Sequence, residues 1–143
     1  MSLTFTGIYK EIPIDGKLVV PSQKPPMECI LETYVTVDID KAVVIDTPLT
    51  YPETENAPPY DPLRKVIVAG TVNIKIKYSA LVPDQKVHSA HFEVPFCTLI
   101  EWPDGPPQGT PIVIQPVVEK AVFVQEDGRR IFKAVLIRLD VYR

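Results

Sequence analysis

The sequence predicts an all-β protein, an antiparallel β-sandwich or partly open barrel that carries an N-terminal strand arm. Three observations predict it. Val and Ile together supply 33 of the 143 residues, and β-branched side chains, stiff at χ1, pack well on a pleated surface. Apolar residues recur with period two over long stretches, while no window of about 11 residues shows helical periodicity. The 16 prolines cluster between those stretches, where they end ladders and forbid helix.

The elements follow in order. Met1–Val20 reads as a strand arm, with Leu3, Phe5, Ile8, Ile12 and Ile14 apolar and a turn at Asp15-Gly16. Pro21–Pro26 is a Pro-rich hinge that favours an extended path, up to about 18 Å long at roughly 3.1 Å per residue. Residues 27–143 then form one β domain. Its first strand sets Leu31, Val35, Val37 and Ile39 against Glu32, Asp38 and Asp40, and a shorter strand follows at Lys41–Asp46. From Thr47 to Pro62 five prolines mark a long surface loop.

The clearest half-buried strand comes next, with Val72, Ile74, Ile76 and Tyr78 on one face and Asn73, Lys75 and Lys77 on the other. Ala90, Phe92, Val94, Phe96 and Ile100 make a second apolar row. Trp102–Pro111 holds a Pro-Asp-Gly turn in which Gly105 supplies a positive φ. Short strands at Ile112–Gln115 and Val117–Gln125 lead through Glu126-Asp127-Gly128, a hairpin turn, to a last strand with Ile131, Val135, Ile137, Leu139 and Val141 on its inner face. Seven or more antiparallel strands suit a sandwich or barrel.

Charge and leader signals exclude several functions. Fifteen basic and eighteen acidic residues give a net charge of −3, and the basic ones form no dense run of the kind a nucleic-acid partner requires. No basic n-region precedes an apolar stretch and no apolar run reaches membrane-spanning length, so the expectation is synthesis in the cytoplasm, without signal peptide or membrane span.

Catalytic chemistry finds no support. None of the four serines sits in a Gly-x-Ser-x-Gly elbow. Cys97 and His91 lie on one strand about 20 Å apart, too far for a thiol–imidazole pair. His88 and His91 point to opposite strand faces. Asp38 and Asp40 share a face about 7 Å apart, but no glycine-containing calcium loop surrounds them, and a solvated strand face explains them. Gly105-Pro-Pro-Gln-Gly109 puts prolines where a phosphate cradle needs N–H donors. The expectation is no enzyme, no metal and no cofactor.

Two features point to binding instead. Tyr51, Tyr60 and Trp102 stand among loop prolines, where aromatic rings can stack on a sugar or a peptide, although Trp102 also suits the closure of one end of the core. Cys29 and Cys97 either pair or act as small hydrophobes, and in a core sufficient by itself the expectation is free thiols.

Val66–Tyr78, Val87-His88-Ser89, Phe92–Phe96 with its Pro95, and the final strand Arg130–Val141 resemble the SPOCS domain. This is a family of β-rich modules in spore proteins of clostridia and their relatives, including a coat morphogenetic protein where such domains accompany a LysM module. The similarity runs from Arg64 to Val141. It implies a non-catalytic role in a spore envelope and brings no established binding residues. The 143 residues include no LysM module, so coat recruitment through one does not carry over. A lone module with an arm and a hinge suggests assembly with itself, by passing the N-terminal strand to the next subunit as a filament or layer at the spore surface or outside the cell. The alternative is a soluble binding module for a glycan or a spore-coat partner protein.

Overall fold

The structure is a computed structural model that describes residues 2–50, 62–81 and 86–143. Six antiparallel strands make up the described residues: β1 (Phe5–Val19), β2 (Met27–Thr50), β3 (Pro62–Ala80), β4 (Val87–Glu101), β5 (Val113–Gln125) and β6 (Arg130–Tyr142). They form two three-stranded sheets, β1-β6-β5 and β2-β3-β4. The sheets face each other as a sandwich, with β2 against β5 along one side and β1 against β4 along the other. The barrel alternative is thereby set aside.

Six strands replace the expected seven or more because three breaks do not occur. β1 runs straight through Asp15-Gly16, where a turn was expected, with both residues in the ladder opposite Ala134 and Lys133. Lys41–Asp46 continues the first body strand across a bulge between Ile39 and Lys41. Ile112–Gln115 and Val117–Gln125 merge into β5 through Pro116, which pairs with Leu139. An edge strand tolerates a residue without an N–H, since alternate N–H groups point away from the ladder. The same logic orders the whole sandwich. Pro13, Pro95 and Pro116 lie within β1, β4 and β5, all edge strands, while the interiors of the central strands β3 and β6 hold no proline. These prolines also blunt the edges against unwanted pairing.

The core follows the alternation read from the sequence. Val66, Val68, Val72, Ile74, Ile76 and Tyr78 of β3 meet Ile131, Val135, Ile137, Leu139 and Val141 of β6, all buried. Ala90 and Ile100 of β4 are buried, with Phe92, Val94 and Phe96 half-buried against the cluster. Leu31 departs from its expected inward row and stands 49% exposed. A bulge between Ile30 and Glu32 inverts the parity of β2 there, so Val35 begins the inward row.

Glycines serve two purposes in the sheets. Gly70 sits on the inner face of β3, paired with Phe96, whose ring lies where a side chain would go: a Cβ at Gly70 would meet Phe96 Cζ at 2.7 Å and the Asp38 carbonyl oxygen at 2.5 Å. Gly16 adopts φ +133° opposite Lys133, which points inward and is 4% exposed. Gly105 differs from its expected role. It has no positive φ, and its N–H donates to the Trp102 carbonyl at 2.9 Å, so it is glycine because the Trp102 ring lies 2.9 Å from where a Cβ would sit. Gly109 takes the positive φ in that loop, at 85°.

The final turn forms as expected. Asp127 Oδ1 accepts the backbone N–H groups of Arg129 and Arg130, each at 2.8 Å. These two donors hold the Asp127 carboxyl below its ordinary 3.8.

Candidate functional site

The N-terminal arm is strand β1, and it lies along β6 of its own chain from Phe5 opposite Tyr142 to Val19 opposite Arg130. The expected seat on a neighbouring copy is therefore filled within the chain. The arm's even-numbered residues face the core: Ile14 and Leu18 are buried, with Ile8 and Ile12 packed against the cluster. Leu3 and Phe5 do not join them and are 54% and 44% exposed. Both are odd-numbered, so the unbroken alternation of β1 puts them on the outer face with Tyr9 and Glu11. Phe5 instead packs on Tyr142, ring centroids 5.5 Å apart, and the ladder extends outward through paired hydrogen bonds between Thr4 and Arg143.

The hinge also differs from its expected extended path. Lys24 N–H donates to the Pro21 carbonyl at 3.0 Å, closing a turn. One Arg129 guanidinium nitrogen donates to the carbonyls of Pro21, at 2.8 Å, and Lys24, at 2.9 Å. Tyr78 Oη donates to the Pro25 carbonyl at 2.8 Å, and burial raises the pKa of that phenol so that it stays a donor. Met27 N–H reaches the Gly128 carbonyl at 2.6 Å. Three prolines thus fail to straighten the segment because the β5–β6 turn and β3 supply donors that hold it bent.

Of the three loop aromatics, Trp102 is among the described residues. Trp102 is 5% exposed and closes one end of the core, its backbone N–H donating to the Arg64 carbonyl at 3.0 Å. Arg64 pins that end, donating to Asp46 Oδ1 at 3.0 Å and to the Gly105 carbonyl at 2.8 Å. Thr47–Thr50 and Pro62, expected in the loop, instead extend β2 and β3, and Tyr51 and Tyr60, with the remainder at 51–61, lie outside the described residues.

Cys29 and Cys97 are free and exposed. Cys29 pairs with Ser79 and Cys97 with Ala69, ten residues apart along β3, a span of roughly 33 Å that no disulfide bridges. Asp38 accepts Asn73 Nδ2 at 2.7 Å and Asp40 accepts Thr71 Oγ1 at 3.0 Å, so cross-strand neighbours use both carboxylates. His88 stacks on Tyr78, centroids 6.0 Å apart, while His91 is exposed. Among the described residues no group of His, Cys, Asp and Glu could hold a metal ion.

The two outer faces differ in character. From Thr71 to Ser79 the outer face of β3 is polar, and beside it a depression of about 300 Å³ is lined by Tyr34, Asn73, Lys75, His91 and Glu93. Lys75 Nζ lies 5.6 Å from the Tyr34 ring centroid, and the Tyr34 hydroxyl bonds Glu32, which raises the Tyr34 pKa. The outer face of β1-β6-β5 is apolar at its centre, around Phe132, Ala134 and Leu136. The sequence carried a signal for this: Ile131–Leu139 is apolar at nearly every position, the mark of a strand covered on both faces.

Residues 26–124 match the SipL, SPOCS-domain family. The chain belongs to the SPOCS-domain family. The match begins at the end of the hinge, well before the Arg64 of the sequence resemblance, and closes inside β5. It covers the whole β2-β3-β4 sheet and leaves β1 and β6 outside. Membership gives the chain a spore-related context. No curated protein and no solved structure matches it. The described residues form no helix long and apolar enough to cross a membrane.

Proposed function

We propose that this SPOCS chain is a non-catalytic structural module that assembles with itself, by exchange of β1 between copies, into a filament or layer of the spore envelope. One observation carries the reading. The arm contributes an apolar row, Ile8, Ile12, Ile14 and Leu18, yet among the described residues its one ladder partner is β6, and it joins the body through the linker at 20–26. Such a unit can leave whole and make the same register on the β6 of a second copy, since exchange reuses the contacts of the closed chain. The three hinge prolines favour the opened, extended linker, and the Arg129 and Tyr78 bonds oppose it. In this reading Met1–Val20 is the arm, Pro21–Pro26 the hinge and residues 27–143 the body. Envelope proteins other than itself are secondary partners.

The test locks the arm. In a Cys29→Ser/Cys97→Ser background, Val19→Cys with Arg130→Cys joins an exposed, directly opposed pair. Under oxidation the locked protein forms no filaments or layers in electron microscopy and sedimentation, and reduction restores them. A second arm of the test removes residues 1–20: the body then fails to polymerise and binds the synthetic arm peptide. Filaments from oxidised, locked protein rule out strand exchange.

The second reading, a binding module for a glycan, has the depression at Tyr34 in its favour, where an aromatic ring borders amide, ammonium and carboxylate groups. Tyr34→Ala abolishes glycan-array binding if that reading holds.

A further inference from the structure

The outer face of β1-β6-β5 holds an apolar depression of about 340 Å³. Phe132 and Leu136 of β6 form its floor with Ala134, and Val122 of β5 and Pro13 of β1 flank them. Phe132 is 38% exposed, Val122 42% and the neighbouring Val124 51%. These residues are unusual for a solvent-facing sheet surface, and the opposite sheet presents Asn73, Lys75 and Lys77 at the comparable place on its central strand. A contiguous apolar patch ringed by polar groups marks an interaction surface.

Charge identifies the occupant. Asp15 stands on the β1 rim of the depression and Lys120 on the β5 rim. Neither belongs to an ion pair within the chain among the described residues, whereas Lys17, Arg64, Arg130 and Arg138 nearby or elsewhere all do. Ala134 is the register partner of Asp15 and of Val122, and Leu136 is the partner of Pro13 and of Lys120. The acid and the base therefore lie on opposite sides of β6 and two residues, about 7 Å, apart along the strand.

We infer that this face pairs with the same face of a second copy across a two-fold axis running along β6. That axis places each β1 over the β5 of the other copy. Asp15 then lies over Val122 of the partner subunit, about 7 Å along the strand from Lys120 of the partner subunit, a separation that a lysine stem spans. The contact is isologous, so both ion pairs form at once around a shared apolar centre. Two sheets meeting this way pack aligned, about 10 Å apart. A polar or singly charged partner would leave one rim charge unanswered; a second copy answers both.

The inference rests on the reading that the chain assembles with itself, and one experiment separates the two. Sedimentation velocity under reducing conditions compares wild type with Phe132→Asp, Val124→Lys, Asp15→Lys, Lys120→Asp and the double reversal Asp15→Lys/Lys120→Asp, each checked for fold by circular dichroism. Wild type forms two-fold pairs, Phe132→Asp and Val124→Lys abolish them, and each single reversal weakens pairing about tenfold by replacing two attractions with two repulsions. The double reversal returns affinity to within about threefold of wild type, since opposite charges again face each other. A double reversal no better than the singles overturns the proposed pairing. Assembly unchanged in Phe132→Asp also overturns it and leaves strand exchange standing. Wild type that is monomeric at every concentration, with no polymer, overturns both.

Discussion

Replacing Gly70 with alanine tests whether the middle of the β2-β3-β4 sheet is packed as tightly as its geometry indicates. The added Cβ would stand 2.5 Å from the Asp38 carbonyl oxygen and 2.7 and 2.9 Å from two Phe96 ring atoms. Phe96 is half-buried and has some room to turn. The Asp38 oxygen does not, because it is backbone of β2 beside the bulge between Ile39 and Lys41, and Gly70 pairs with Ile39 itself. Forcing a methyl into a closed site costs typically about 1–3 kcal/mol. Alanine also narrows the unfolded ensemble, which returns about 0.4–1 kcal/mol. The balance is a loss of about 1–2 kcal/mol, which for a chain of this size lowers Tm by roughly 3–8 °C. Thermal unfolding followed by far-ultraviolet circular dichroism reads this directly. Adding Phe96→Leu removes the ring clash and leaves the carbonyl clash, so the double variant recovers only part of the loss. A Gly70→Ala protein as stable as wild type refutes the argument, and full recovery in the double variant shows that the ring alone was the obstacle.

Arg129→Ala removes both donors to the hinge carbonyls of Pro21 and Lys24; the closed chain loses about 1–3 kcal/mol in urea unfolding, and under the exchange reading the polymer fraction rises at fixed concentration. Asp127 has its carboxyl held below 3.8 by two backbone N–H groups, so its stabilisation of the β5–β6 turn is complete above that pH and is lost as pH falls through the lower folded-state value. Hydrogen exchange at Arg129 and Arg130 measured against pH checks this, and in Asp127→Ala the dependence disappears. Both thiols react with a maleimide in the native protein, and oxidation yields crosslinks only between chains; an intrachain 29–97 peptide found by mass spectrometry contradicts the register of β2, β3 and β4.

The strands that could be read from sequence are those whose two faces differ. Val72, Ile74, Ile76 and Tyr78 alternate with polar residues because β3 is a central strand with one wet face, and the structure buries all four. Proline misled where it occupies an edge. Pro116 reads as a strand break, but an edge position needs no N–H there, and only tertiary placement reveals which strands are edges. Leu31 misled for a related reason, since a bulge that shifts parity by one leaves no mark in the alternation itself. The hinge was legible as proline-rich and not as bent, because the donors that bend it, Arg129 and Tyr78, come from residues more than fifty positions away. The apolar face around Phe132 was legible in principle, as a strand apolar on both sides, and it needed the sheet order to show that one of those sides meets solvent.

Strand exchange and face pairing differ in what they build, and the difference bears on a spore envelope. Passing β1 to the next copy is a heterologous contact, which propagates as a ring or a one-dimensional filament. Pairing across the Phe132 face is isologous and stops at two copies. The face, however, is itself composed of β1, β6 and β5, with Pro13 and Asp15 coming from the arm. In an exchanged filament each face is therefore completed by the arm of a neighbouring copy, and the two-fold pair forms only where an arm is seated. Each pair then joins two filaments side by side and extends the assembly into a second dimension. The prolines of β1, β4 and β5 keep free edges from pairing at random, and Lys10 Nζ, bonded to the Leu99 carbonyl at 2.7 Å, covers part of the β4 edge. Under the two proposals together, growth is confined to one seat on β6 and one face. Removing residues 1–20 should accordingly abolish not only filaments but also the two-fold pair, even though Phe132, Ala134, Leu136, Val122 and Lys120 all remain. A truncated body that still dimerises through Phe132 separates the two contacts and refutes their coupling.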